Sequence, residues 1–395
     1  MVSGGLCQSR SRLVRYKPIR DNGMQNIKSY FLVVVALSLI ACQAENVANT
    51  SGTAQAEQQT FKWKLVTTWP KNFPGLGVAP ENFAALVERM SNGRLMIKVY
   101  AAGEIVPALE VFSAVSNGTA EMGHGAAYYW KGKISAAPLF TSVPFGLNAQ
   151  EMNGWLHYGG GLALWRELYA PFNLVPMAAG NTGIQMGGWY NKELRTIDDF
   201  KGLSMRIPGL GGEVFTRAGG TAVNLPGGEI YTSMQTGVID AAEWVAPYND
   251  LAFGFQNVAQ YYYYPGWQEP GPSIELIINQ QAYDSLPDDL IAIVETAARA
   301  INQDMLDEYT SRNNTALVEL AKQGVEIRPY PDEIIAVLRQ ISAEVLAENA
   351  ARDPMFDKIY RSYDAYRKNV TVYHEISEHA YFKIRQTGSD TSDHD

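Results

Sequence analysis

The 395-residue chain carries 32 Lys and Arg against 41 Asp and Glu, a formal net charge of −9. An acidic balance argues against nucleic acid as a partner, and an anionic ligand would need a specific local cation rather than the global field. The two cysteines, Cys7 and Cys42, both precede the body of the chain, which excludes a disulfide framework, a cysteine metal site and a catalytic thiol from it.

Residues 1–23 are basic without an apolar period and read as an upstream extension, with Met24 as the initiator. Lys28 then precedes an apolar run from Tyr30 to Ala41, shorter than the ~20 residues that span a bilayer, and residues 1–41 therefore end in a secretory signal. The junction Leu39-Ile40-Ala41-Cys42 resembles a bacterial lipobox, which predicts lipidation of Cys42 and a periplasmic protein tethered to a membrane. The alternative is an ordinary signal peptide with a chance cysteine. Residues 42–58 read as the lipidated N-terminus and a small, polar linker.

From Phe61 onward strands and helices alternate, the pattern of an α/β protein. The expected order is a strand at Lys62–Trp69, a helix at Glu81–Met90, a strand at Leu95–Tyr100 and a helix at Ala108–Val115. A helical stretch over Ala149–Tyr169 is interrupted at Gly159-Gly160-Gly161. Short strands follow around Ile184–Tyr190, Leu203–Ile207, Ala222–Leu225 and Ala242–Val245, with a helix at Gly228–Thr236 before the last. Pro287 opens a helix that runs to a stop at Gly324, long enough to touch two lobes. A second helical region covers Asp332 to about Arg385, broken near Asp353-Pro354. Its aromatics, Tyr360, Tyr363, Tyr366, Tyr373, Tyr381 and Phe382, either pack on the body or contact a second copy.

Common enzyme signatures are missing. His374 and His379 are five apart and do not share a helical face as a zinc-protease pair would, and no Gly-x-Ser-x-Gly elbow occurs. Gly75-Leu-Gly77 and Gly209-Leu-Gly-Gly212 fall short of the dinucleotide pattern and read as turns.

Two charges in apolar surroundings carry the functional signal. Arg206 lies in Leu203-Ser-Met-Arg-Ile-Pro-Gly209, at the carboxyl end of a strand, where open α/β sheets place ligands. Its planar fork suits a carboxylate, although a surface position or an internal ion pair would also account for it. Glu243 sits in Ala241-Ala-Glu-Trp-Val-Ala246 and needs a partner if buried. That partner is either Arg206 itself or a hard cation with oxygen ligands, helped by the amides of Gln185 and Gln268. Trp69, Tyr128, Trp244 and Trp267 fit an apolar pocket with a few polar anchors, or simply core.

The segments Gly183-Ile-Gln-Met-Gly187, Gly202-Leu-Ser-Met-Arg-Ile-Pro208, Gln235-Thr-Gly-Val-Ile-Asp-Ala-Ala-Glu-Trp244 and Pro265-Gly-Trp-Gln268 together resemble a solute-receptor subunit of a TRAP (tripartite ATP-independent periplasmic) transporter. The likeness runs from about Phe61 to Arg385 and is nearest the branch for 2-oxo acids and related monocarboxylates. It implies a two-lobed, periplasmic-binding-protein-like α/β fold with crossing strands, a long lobe-spanning helix and a C-terminal helix. Residues 59–182 with about 269–310 would form one lobe, and residues 183–268 with about 311–345 the other. Residues 346–386 would be a C-terminal helical segment able to contact a second copy, and 387–395 a disordered tail.

The resemblance further implies that Arg206 clamps the ligand carboxylate. Gln185, Glu243 and the Trp244 carbonyl would hold a sodium or calcium ion that the ligand completes, with Gln268 a less certain member; Tyr128 and Trp69 would line the ligand. No organic cofactor and no chemical step are implied. The partners would be a small carboxylate, two membrane subunits and, through Cys42, a lipid surface. A ligand sensor on the same fold and a lipid-anchored hydrolase with Glu243 as base are the alternative readings.

Overall fold

The structure, a computed structural model, describes residues 59–386. The segments expected to form an upstream extension, a signal peptide, a lipidation site at Cys42, a linker and a C-terminal tail all lie outside the described residues.

The first half of the chain builds one sheet. Strands β1 (Phe61–Thr67), β2 (Leu95–Tyr100), β3 (Met122–Gly125) and β4 (Leu174–Asn181) are laid down with helices α1 (Ala79–Met90), α2 (Val111–Ser116), α3 (Ala149–Tyr158) and α4 (Gly161–Tyr169) between them. The chain then crosses to a second sheet made of β5 (Gly188–Tyr190), β6 (Ser204–Arg206), β7 (Thr221–Val223), β8 (Ala241–Ala242) and β9 (Tyr261–Tyr264). Helices α5 (Gly209–Arg217), α6 (Gly227–Gln235) and α7 (Pro247–Phe253) accompany these strands.

It returns through β10 (Ser273–Asn279), which inserts antiparallel between β3 and β4 in the order β2-β1-β3-β10-β4. After α8 (Gln280–Asp284), helix α9 (Asp288–Lys322) leads back to β11 (Glu326–Pro329) at the edge of the second sheet, ordered β11-β9-β5-β8-β6-β7. Helices α10 (Asp332–Arg352), α11 (Pro354–Ile376) and α12 (Glu378–Gln386) complete the described chain.

Three connections therefore join the sheets: the extended passages β4–β5 and β9–β10, and α9. The last has 35 residues, about 52 Å of helix. It packs on β4 and α1 at one end and on α7 at the other, as its length requires. Pro287 before it, Asp288 and Asp289 in its first turn and Lys322 in its last agree with the helix dipole.

Several expected elements differ from those observed. The four short strands of the second sheet contract to two or three residues each, so Gln185 and Glu243 stand in the connections beside β5 and β8 rather than within strands. Gly209-Leu-Gly-Gly212, expected as a turn, is the first turn of α5. A Cβ at Gly212 would lie 2.4 Å from the Ile207 carbonyl oxygen and one at Gly211 2.9 Å from the Gln268 Cβ, so the glycines let this helix start against the site. The strands β3, β4, β9, β10 and β11 escaped the periodicity reading. Pro176 and Gly180 in β4 and the tyrosine run of β9 carry no clean alternation. The helical region after Asp332 breaks twice, at Asp353 as expected and again at Ser377.

Each sheet buries a carboxylate held by a tryptophan and a tyrosine. Glu275 of β10 accepts from Trp130 Nε1 and, at 2.9 Å, from the Tyr169 hydroxyl. Asp250 of α7 accepts from Trp189 Nε1 at 2.9 Å and from the Tyr262 hydroxyl at 2.6 Å. Burial pushes the Glu275 carboxyl up from 4.5 to about 7, outweighing those two hydrogen bonds. A carboxyl raised in the fold stabilises it fully below its ordinary pKa and loses that contribution as pH rises through the raised value. Glu275→Gln should therefore gain on the wild type by about 2–3 kcal/mol between pH 5 and pH 8 in denaturant unfolding. A stability difference that stays constant across that range would contradict this account of Glu275.

Candidate functional site

The sheets face each other across an aromatic set: Trp69, Phe73 and Tyr129 from the first, Trp244 and Phe253 from the second. Trp69 meets Tyr129 and Trp244 at centroid distances of 6.2 Å each, and Phe73 stacks on Phe253 at 4.3 Å. Trp69 Nε1 donates to His124 Nδ1 at 2.8 Å, while His124 Nε2 faces the Ala179 carbonyl at 3.1 Å, the tautomer with its proton on Nε2. Burial holds this imidazole down at about 4, so it stays neutral and serves to fix Trp69.

Arg206, the last residue of β6, lies fully buried behind this wall. Its Nη1 donates to Glu243 Oε1 at 2.5 Å and to the Glu243 carbonyl at 3.0 Å. Its Nε donates to the Leu225 carbonyl at 3.2 Å, and Nη2 to the Tyr129 hydroxyl at 3.1 Å. The guanidinium also lies 5.2 Å from the centre of the Trp244 ring. Burial alone would lower the arginine's pKa, but Tyr129 and Glu243 beside it hold it above its ordinary value, so it is a permanent cation. One of its five N–H groups, on Nη2, has no acceptor among the described residues.

The ion pair with Arg206 does not saturate Glu243. Its Oε2 is buried without a hydrogen-bond partner, and so are Oε1 of Gln185, Oε1 of Gln268 and Oε2 of Glu269. Glu243 comes from the connection after β8, and the other three from two passages laced together: the Gln185 N–H donates to the Glu269 carbonyl at 3.2 Å, and the Gly266 N–H to the Gln185 carbonyl at 2.9 Å. The amide nitrogens point away, Gln185 Nε2 to the Thr182 hydroxyl at 3.3 Å and Gln268 Nε2 to the Met186 carbonyl at 2.9 Å, which leaves the amide oxygens free. The Trp244 carbonyl likewise accepts no hydrogen bond from the described residues.

Burial raises the carboxyls of both Glu243 and Glu269. For Glu243, Arg206 opposes the rise, Asp250 adds to it, and the close approach of Gln268 and Glu269 opposes it; Glu269 is pushed further up by Glu243, with Arg206 and the nearby Gln185 opposing. Two carboxylates thus compete for one arginine in a water-poor place. Beside the unpaired N–H groups of Trp244 and Arg206, five oxygens lack partners, from two carboxylates, two amides and a carbonyl, a donor set that fits a hard cation rather than zinc.

The structure therefore brings Arg206, Gln185, Glu243, Trp244, Gln268, Trp69 and Tyr128 into one neighbourhood. Tyr128 packs edge-on against Tyr129 at 4.8 Å between ring centres, while Trp267 stacks on Phe145 at the back. Sequence reasoning missed Tyr129, which is the arginine's own partner, and Glu269, the second carboxylate. A buried acid directly after Gln268 was visible as a charge beside an aromatic run; nothing local distinguishes Tyr129 from Tyr128.

The profile described as bacterial extracellular solute-binding protein, family 7, matches residues 65–353. Among curated proteins, the chain is 43% identical over 350 residues to a monocarboxylate 2-oxoacid-binding periplasmic protein of Nostoc sp., covering 89% of this chain and 95% of that one. Among solved structures it is similar to a TRAP periplasmic solute-binding protein from Pseudoalteromonas atlantica with bound sodium and pyruvate, at 42% identity and a TM-score of 0.81, covering 82% and 99% of the two chains. It is also similar to one from Colwellia psychrerythraea with bound calcium and pyruvate, at 41% identity and a TM-score of 0.80, covering 82% and 99%.

Breaking a buried ion pair from one side strands the other charge, at a cost of about 3–5 kcal/mol. Arg206→Ala should lose stability on that order in denaturant unfolding without ligand, and Arg206→Ala with Glu243→Gln should recover much of it. A single variant as stable as the wild type would mean that Glu243 does not depend on Arg206.

Proposed function

Because the chain belongs to the bacterial extracellular solute-binding proteins of family 7, we propose that it is the extracytoplasmic receptor of a TRAP transporter, binding a pyruvate-like 2-oxo or 2-hydroxy acid together with sodium or calcium. The observation that carries the reading is the set of four unpaired, buried oxygens gathered beside one arginine. Glu243, Gln185 and the Trp244 carbonyl would hold the cation, with Gln268 and Glu269 completing the shell; the ion would supply a positive charge shared between protein and ligand. Arg206 would orient the ligand carboxylate through Nη2, and Trp69, Tyr128 and Trp244 would exclude water around it.

Charge balance supports a cation. Arg206, two ionised glutamates and a carboxylate ligand leave two negative charges in surplus, which one calcium neutralises. Sodium would require a proton on one glutamate, and burial favours that protonation at Glu269.

The lobes would be residues 59–182 with about 269–310 and residues 183–268 with about 311–345, closing on the ligand without a chemical step. The closed form would be what the membrane subunits recognise. Cys42 would carry a lipid that tethers the receptor. Val372, Tyr373, Ile376, Tyr381 and Phe382, exposed on α11 and α12, support a contact of the 346–386 segment with a second copy.

A thermal-shift panel tests the ligand class, with 2-oxo acids, 2-hydroxy acids, dicarboxylates and sugars each in sodium, calcium or chelator. Ligand at 1,000 times its dissociation constant adds about 4 kcal/mol of stability. The expected result is a cation-dependent shift confined to 2-oxo and 2-hydroxy acids and lost in Glu243→Gln; no shift with any carboxylate would refute the receptor reading.

A further inference from the structure

Beside the buried donors, a cleft of about 580 Å³ opens between the elements that follow β3 and those that follow β6. Its floor is Tyr128, Tyr129, Ile207 and Pro208, and its rim carries Lys131 and Glu213. Lys131 Nζ meets Glu213 Oε2 at 2.6 Å with both side chains largely covered, 30% and 20% exposed. The pair joins the first sheet to the second. Lys131 stands two residues after Tyr129, the partner of Arg206, and Glu213 lies on α5, the helix that β6 feeds directly.

Glu213 is held in place independently of Lys131. Arg217 Nη2 donates to its Oε1 at 3.3 Å, and Asn349 Nδ2 of α10 reaches the same oxygen at 3.3 Å. Arg217 is in turn clamped by both oxygens of Glu348, each at 2.7 Å. A carboxylate fixed beforehand loses little freedom when the lysine arrives, which separates this pair from ordinary surface ion pairs. Separation of the two sheets would have to break the Arg206–Tyr129 hydrogen bond and the Lys131–Glu213 pair together.

We propose that Lys131 and Glu213 are positioning residues that form a latch between the lobes, setting the balance of open and closed forms and hence the ligand's residence time without touching the ligand. The proposal rests on the receptor reading above. A latch made on closure lowers the escape rate more than it raises the capture rate, because the encounter with the open form does not involve it.

The test follows pyruvate in calcium buffer, by stopped-flow tryptophan fluorescence and by calorimetry, on the wild type, Lys131→Met, Lys131→Arg, Glu213→Gln and the exchanged pair Lys131→Glu with Glu213→Lys. Lys131→Met and Glu213→Gln should release pyruvate about two- to fivefold faster, with the association rate little changed. Their unliganded melting temperatures should stay within about 2 °C of the wild type. Lys131→Arg should keep the slow release, and added salt should speed release from the wild type but not from Lys131→Met. Unchanged release in a folded Lys131→Met that still binds pyruvate would overturn the latch alone. A wild type that binds no 2-oxo or 2-hydroxy acid would overturn the receptor reading, and the latch with it.

Discussion

One guanidinium answering two buried carboxylates is the constraint on which the rest of this structure turns. Arg206 reaches Glu243 directly, while Glu269 stands close enough that Glu243 raises the cost of ionising it. Taking three charges out of water is expensive unless each finds compensation, and here one cation cannot supply it. The surroundings serve that pocket. The carbonyl of Leu225 and the hydroxyl of Tyr129 fix the guanidinium, and the glycines at the start of α5 let that helix press against Ile207 and Gln268. The Trp244 ring centre lies 5.2 Å from the guanidinium, and Gly227 packs on that ring so closely that a Cβ there would stand 2.4 Å from the indole. The residual negative charge and unpaired oxygens are what a cation and a carboxylate together would resolve.

The architecture explains how such a pocket can open. Arg206, Glu243 and Trp244 come from the second sheet's side, Gln185, Gln268 and Glu269 from the two extended crossings, and Trp69 and Tyr129 from the first sheet's side, so covering the pocket needs the sheets to meet. Gln185 and Glu269 both sit in the crossings, tied by a backbone hydrogen bond, and would feel any relative movement of the lobes. The aromatic wall is the water-excluding part of the same contact. Asn249 adds a polar tie near α9, donating to the Pro74 carbonyl at 2.9 Å while accepting from the Tyr309 hydroxyl.

What was legible in the sequence was whatever depends on local pattern. The bounds of β2 were read without error, and those of α9 within a residue or two, because clean periodicity and terminal signals mark them. Arg206 and Glu243 stood out because a lone charge in an apolar segment needs a partner wherever it lies. Longer-range features were hidden. β10 pairs with strands more than 90 residues away, and its isolated glutamate, Glu275, is explained only by Trp130 and Tyr169. Tyr129 and Glu269 become site residues through contacts across the cleft, which neighbouring sequence does not encode. The aromatic tail divides likewise: Tyr363 packs on the body, its hydroxyl receiving the Leu147 N–H, whereas Tyr373 is 64% exposed.

The central claim is that cation and carboxylate are bound as one unit. Calorimetric titration of pyruvate into chelator-treated protein across a calcium series, paired with titration of calcium across a pyruvate series, measures that coupling directly. The account predicts that each ligand tightens the other by the same factor, at least about tenfold, as linkage requires. Pyruvate affinity that is identical with and without cation would contradict it, since cation and carboxylate would then bind independently.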